Sequence, residues 1–127
     1  RNGRGSPLAR LHELIEYLAP YSAERAAQGM IFFRDFGFLP AARRRLIIRQ
    51  RDLYATTLNE LITAAQARGE VPRSIDPALA AASILGSIAW LANWYRPGGR
   101  LSAEEIGRQL AAMMTAALRG GAPRKRR

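Results

Sequence analysis

The 127-residue chain has no cysteine, which excludes a disulfide framework and a thiolate metal site. It has one histidine, His12, set beside Glu13 and Glu16 on what reads as the polar face of a helix, a solvent-exposed position and not a catalytic one. The ten acidic residues are scattered, without the spacing that pairs two carboxylates or holds a metal. No glycine-rich phosphate loop occurs. Together these absences speak against an enzyme and predict neither metal nor cofactor. No stretch alternates with period two, so no strand is expected. No signal peptide is visible. The one long apolar run, residues 78–94, is near the minimum length of a membrane span. It is built largely from alanine and interrupted by Ser83, Gly86, Ser87 and Asn93, so it reads as a buried helix of a cytoplasmic protein with no membrane partner.

What the chain does have is positive charge. Twenty basic residues against ten acidic ones give a formal charge of +10, a balance that points first to nucleic acid or membrane. Position weakens that reading. Arg1, Arg4, Arg119, Arg124, Lys125, Arg126 and Arg127 lie in the two tails, where a charge run reads as a solvated terminus. The opening Arg-Asn-Gly-Arg-Gly reads as a loop, and the start on Arg1 as that of a fragment whose missing part lies upstream. The size is that of one domain with a real core. Residues 1–6 are assigned as linker, 7–119 as the folded domain and 120–127 as a basic tail.

Punctuation divides the domain into helices. Ser6-Pro7 is a capping hydroxyl before a proline at the first helical position, and Leu8, Leu11, Ile15 and Leu18 succeed it at helical spacing. The first helix is expected over about 7–18, broken by Pro20, and a second over about 22–36, stopped by Gly37 and Pro40. The longest, 41–68, carries Ile47, Tyr54, Leu58, Leu61 and Ala65 on one stripe and ends at Gly69 in the left-handed region. Asp76-Pro77 opens a helix to about 95, and Ser102 with Glu105 forms a capping box ahead of the last, which runs to about 118. The expected fold is all-α, a bundle of about five to six helices.

Two helices carry more apolar surface than one core can take. In the 77–95 helix, Leu79, Trp90 and Trp94 fall on one side, Ile84, Ile88, Leu91 and Tyr95 on another, and Leu85, Ala89 and Ala92 on a third. A helix apolar all round must contact its own domain and something else. The last helix has a broad stripe of Ile106, Leu110, Met113, Met114, Ala117 and Leu118. All four phenylalanines fall between Phe32 and Phe38, just after Met30 and Ile31. They line more than one compartment, as ordinary core or as a ligand pocket. Arg43, Arg44, Arg45, Arg49 and Arg51 crowd the start of the long helix, either as a phosphate site or as a solvated face.

The stretch ARGEVPRSIDPALAAASILGSIAWLANWYRPGGRLSAEEI, residues 67–106, resembles the C-terminal half of TetR-family transcriptional regulators, in the branch associated with fatty-acid and steroid catabolism. Gly69, Asp76, Pro77, Trp94, Tyr95, Arg96, Pro97, Gly99 and Ser102 carry the resemblance, which extends over residues 51–118. Residues 8–40 match in helical pattern and apolar character. The resemblance implies a ligand-sensing domain of a repressor whose last two helices pack against a second subunit as a four-helix bundle. It also implies a pocket among the earlier helices for an acyl-CoA or other apolar inducer. Operator DNA would be reached only through an N-terminal helix-turn-helix absent from this chain.

On this reading the homodimer interface takes Ala82, Gly86, Ala89, Trp94, Ile106, Leu110, Met113 and Ala117, small residues allowing close approach and Trp94 serving as anchor. The ligand wall takes Met30, Phe33, Tyr54, Leu58 and Trp90, an apolar surface with one hydroxyl and one indole N–H to orient a polar end. Arg44, Arg45 and Arg49 are assigned to the CoA phosphates. A stand-alone helical interaction module and a small basic domain for nucleic acid or membrane are the competing classes.

Overall fold

The computed structural model describes residues 5–25 and 40–120. Four helices make up the fold among the described residues: α1 (Pro7–Glu24), α2 (Ala41–Ala67), α3 (Pro77–Trp94) and α4 (Ala103–Arg119). The architecture is all-α as expected, but the five to six helices anticipated from the sequence are not matched.

Three of the four described helix starts lie where their capping residues put them, while α2 follows Pro40 without a side-chain cap. Ser6 Oγ accepts the Ala9 amide at 3.1 Å, Asp76 Oδ2 accepts that of Leu79 at 2.9 Å, and Ser102 Oγ accepts that of Glu105 at 3.1 Å. Each satisfies an amide that has no partner within its own helix. The capping box at Ser102 forms in one direction. The Glu105 carboxylate turns along α4 to Arg108 and Gln109, which occupy both of its oxygens.

Pro20 does not end the first helix. α1 continues to Glu24 and so includes Ser22, the expected start of a second helix, the rest of which lies outside the described residues. A proline in a helix interior removes one amide donor and crowds the carbonyl four residues earlier, here that of Glu16. α1 packs more extensively with α4 than with the other described helices, and the Pro20 ring lies against Gly107 of α4. Tertiary contact compensates for the lost hydrogen bond, as periodicity alone does not reveal.

α2 stops as the sequence predicts. Gly69 has φ +78°, its amide donates to the Gln66 carbonyl at 3.0 Å, and the Glu70 amide donates to that of Ala65 at 2.8 Å. This returning pattern fills carbonyls that the helix end leaves open. Gln66 Nε2 then donates to the carbonyls of Pro72 and Ile75 at 2.9 and 2.7 Å, and Val71 is buried, so the connection to α3 is pinned. Glu70 Oε1 accepts the Leu8 amide at 3.1 Å, placing a carboxylate on the positive end of α1.

α1 is the central element. It packs along α4 and also touches α2 and α3, while α2 packs along α3. The core is one cluster that includes Leu11, Ile15, Leu58, Ile62, Val71, Ile84, Leu91 and Ala111. Each fully buried Leu or Ile contributes about 1.5–3 kcal/mol from water exclusion.

Candidate ligand-binding and dimerisation surfaces

α2 presents its stripe inward as expected. Leu58, Ile62 and Ala65 are buried, and Tyr54 and Leu61 pack half-buried against the core. Tyr54 and Leu58 therefore share one inward face, one turn apart. Met30 and Phe33, the other expected wall residues of the Phe-rich segment, lie outside the described residues, as does that whole segment.

Trp90 does not join them. It is 61% exposed, because α3 turns Ala81, Ile84, Ile88 and Leu91 to the core and Trp90 projects from the opposite side. It stands with Leu79 and Trp94, both exposed, on the side of α3 where helical geometry groups the three. Ala82 and Gly86 are exposed on this side as well, and Ala89 is half-buried. A Cβ built on Gly86 meets no atom within 4 Å, so no described residue covers the helix there.

On α4 the expected interface stripe divides. Met113 is 61% exposed and Ala117 is exposed, Leu110 is half-buried against the core, and Ile106 is buried. Ile106 thus belongs with Ala103, Ala111 and Leu118 on the side that meets α1. The exposed residues are accordingly Leu79, Ala82, Gly86, Trp90 and Trp94 on α3, and Met113 and Ala117 on α4. Sequence reasoning leaves Leu79 and Trp90 out of the interface. Their grouping with Trp94 on the helical projection is the signal that could include them.

The arginines stay at the surface. Arg45 and Arg49 are exposed and Arg44 is half-buried on the first half of α2, where Leu46 and Ile48 are also exposed. Two depressions open to solvent flank α1. One lies at its start, lined by Leu8, His12, Glu16, Glu70, Thr115 and Arg119. The other runs between α1 and α2, lined by Arg10, Leu14, Tyr17, Thr57, Leu61 and Ala64. Neither contains Tyr54, Leu58 or Trp90. Along the edge of the second, Tyr17 stacks on Tyr21 with ring centroids 6.1 Å apart, and the Arg25 guanidinium lies 5.0 Å from the Tyr21 ring. The hydrogen bond from Gln109, then the bond and charge of Arg108, hold the Glu105 carboxyl below the usual glutamate range. No cluster of three metal-ligating side chains occurs among the described residues.

Residues 4–118 match the model of the tetracyclin repressor-like, C-terminal domain family. The chain belongs to this family. As a repressor-like C-terminal domain it belongs to a non-enzymatic family. α3, which by length and composition alone is apolar enough to cross a bilayer, is here one of its packed helices.

Two solved structures agree with the assignment. A transcriptional regulator of the TetR/AcrR family from Thermobifida fusca superposes with a TM-score of 0.78 at 29% identity, over 96% of this chain and 62% of that one. AibR, solved in complex with isovaleryl coenzyme A and operator DNA, superposes with a TM-score of 0.64 at 25% identity, over 92% of this chain and 61% of that one. The tetracyclin repressor-like domain thus spans about three fifths of the length of either structure. No curated protein matches it.

Proposed function

We propose that this domain is the ligand-sensing and dimerisation part of a TetR-type transcriptional repressor that acts in the cytoplasm, and that its inducer is an acyl-CoA or a similarly built amphiphile. The observation that carries the ligand class is the likeness, over 92% of the chain, to a regulator solved with isovaleryl coenzyme A and operator DNA. Operator recognition is assigned to the part of such regulators that lies outside the matched region.

The inward face of α2 supports the ligand site, since it carries Tyr54 and Leu58, the two wall residues of this reading that lie there among the described residues. Trp90 is reassigned from that wall to the outer surface, on account of its exposure. Arg44, Arg45 and Arg49 remain the groups with the right chemistry for CoA phosphates, since guanidinium forks bind phosphate through paired charge-assisted bonds. For the dimer, support comes from the outer surface of α3 and α4. Leu79, Trp90 and Trp94 are exposed on one side of α3 and Met113 is exposed on α4, large apolar groups of the kind that association covers.

A thermal-shift series from short to long acyl-CoAs, with free fatty acids alongside, tests the ligand class. A ligand at about a hundred times its dissociation constant adds about 2.7 kcal/mol, or roughly 10 °C in Tm for a domain of this size. Binding alone does not establish induction, which requires the ligand to prefer one arrangement of the dimer. No shift across the series excludes acyl-CoA as inducer, and a monomer mass by light scattering at micromolar concentration excludes the dimer.

A further inference from the structure

α3 and α4 both carry exposed apolar side chains, yet they make almost no direct contact with each other. Both rest on α1, and they meet it at the same turn. A Cβ placed on Gly107 of α4 would lie 2.7 Å from Pro20 Cδ, 3.2 Å from Pro20 Cγ and 2.9 Å from the Glu16 carbonyl oxygen. The proline ring and the carbonyl it deprives of a donor are thus seated on the bare backbone of α4. Two residues on, Ser22 Oγ donates to the Ile88 carbonyl of α3 at 3.3 Å. Gly107 is near the start of α4 and Ile88 is near the end of α3, so both contacts sit close to the connection between these helices.

We infer that the last turn of α1, from Pro20 to Ser22, is a wedge that sets the angle between α3 and α4 and thereby the shape of their outer surface. Helices packed through a third element take their mutual angle from its thickness at the contact. Here that thickness is the proline ring on one side and the serine hydroxyl on the other. The inference rests on the packing of the described helices and is independent of which ligand the domain binds.

The chain has no cysteine, so spin labels can be placed singly at Ala78 on α3 and Ala116 on α4, both exposed. Diluting labelled into unlabelled chain isolates the distance within one molecule. At about 1.5 Å per residue, each label lies roughly 13–15 Å along its helix from the wedge, so a tilt of about 10° moves the distance by about 2–3 Å. Gly107→Ala thickens the contact and is expected to lengthen the distance. Pro20→Ala thins it, and gives Glu16 a donor that draws its carbonyl back into α1, so the distance is expected to shorten. Ser22→Ala adds no bulk, removes the tie to α3 and is expected to broaden the distribution. Any of the three that retains its helical circular dichroism decides by its own outcome. An unmoved distance or a shift of the opposite sign in the first two, or an unchanged width in the third, overturns the wedge.

Discussion

Leu58 stands in both readings of α2, as a core residue and as part of the ligand wall, and truncating it separates them. The side chain has no exposed surface and sits in the cluster formed with Leu11, Ile15, Ile62 and Leu91. If it is packed there on all sides, Leu58→Ala removes buried carbons and leaves a cavity that its neighbours close only in part. Such changes cost about 3–5 kcal/mol. That is a large share of the roughly 5–15 kcal/mol that holds a domain together, and about 3 kcal/mol lowers Tm by roughly 10–15 °C at this size. If the side chain instead borders open space, the cavity already exists. Part of the leucine's contact surface is then unmatched, and the loss falls to about 2 kcal/mol, the transfer term without a new cavity. Urea unfolding monitored by circular dichroism measures the difference. It must be run at one fixed protein concentration, because association stabilises the folded state by mass action. A loss of about 2 kcal/mol or less refutes the packed core at this position. A large loss that a saturating acyl-CoA reverses would instead mean that the ligand fills the space Leu58 leaves.

Gly69→Ala tests the end of α2: φ is +78° and an added Cβ meets no atom within 4 Å, so the cost is backbone conformation alone, about 1–2 kcal/mol. A neutral Gly69→Ala in thermal unfolding would mean that the left-handed turn is not required. Glu105 supplies a pH test, because Gln109 and then Arg108 lower its folded-state pKa. Its contribution to stability is present above the usual glutamate range and is lost as pH falls through the lowered value. A carbon-13 NMR titration is expected to find Glu105 protonating at more acidic pH than in the Gln109→Ala/Arg108→Ala chain, and identical midpoints would remove the assigned cause.

Helix termini are legible in the sequence because their causes are local. Ser6, Asp76 and Ser102 are marked by residue type and by their downstream neighbours, a proline or a glutamate. Their hydrogen bonds reach three residues along the chain, so no tertiary information is needed to place them. Gly69 is legible for the same reason. Pro20 misleads because its effect depends on a partner far along the sequence. A proline costs a helix one donor wherever it falls, but continuation to Glu24 goes with an α4 bare at Gly107 where the ring arrives. Nothing between residues 7 and 25 records that fact. Glu70 escapes notice likewise: it sits just beyond the end of α2, and its acceptor role belongs to the Leu8 amide, 62 residues away.

The outer surface shows the same limit of locality on a larger scale. α3 is apolar on every side, so periodicity states that it has two kinds of neighbour without saying which side meets which. The inward side is decided only by the elements that pack against it, and α2 and α1 select Ala81, Ile84, Ile88 and Leu91. Trp90 and Trp94 are left outward by geometry rather than by any property of indole. Leu79, Trp90 and Trp94, grouped on one side by the sequence, are all exposed, whereas assigning Trp90 to a pocket treats one member apart from the others. Residues that share a side of a helix share its environment. On α4 a single stripe crosses the boundary between inside and outside, and there burial divides Ile106 from Met113 where hydrophobicity does not.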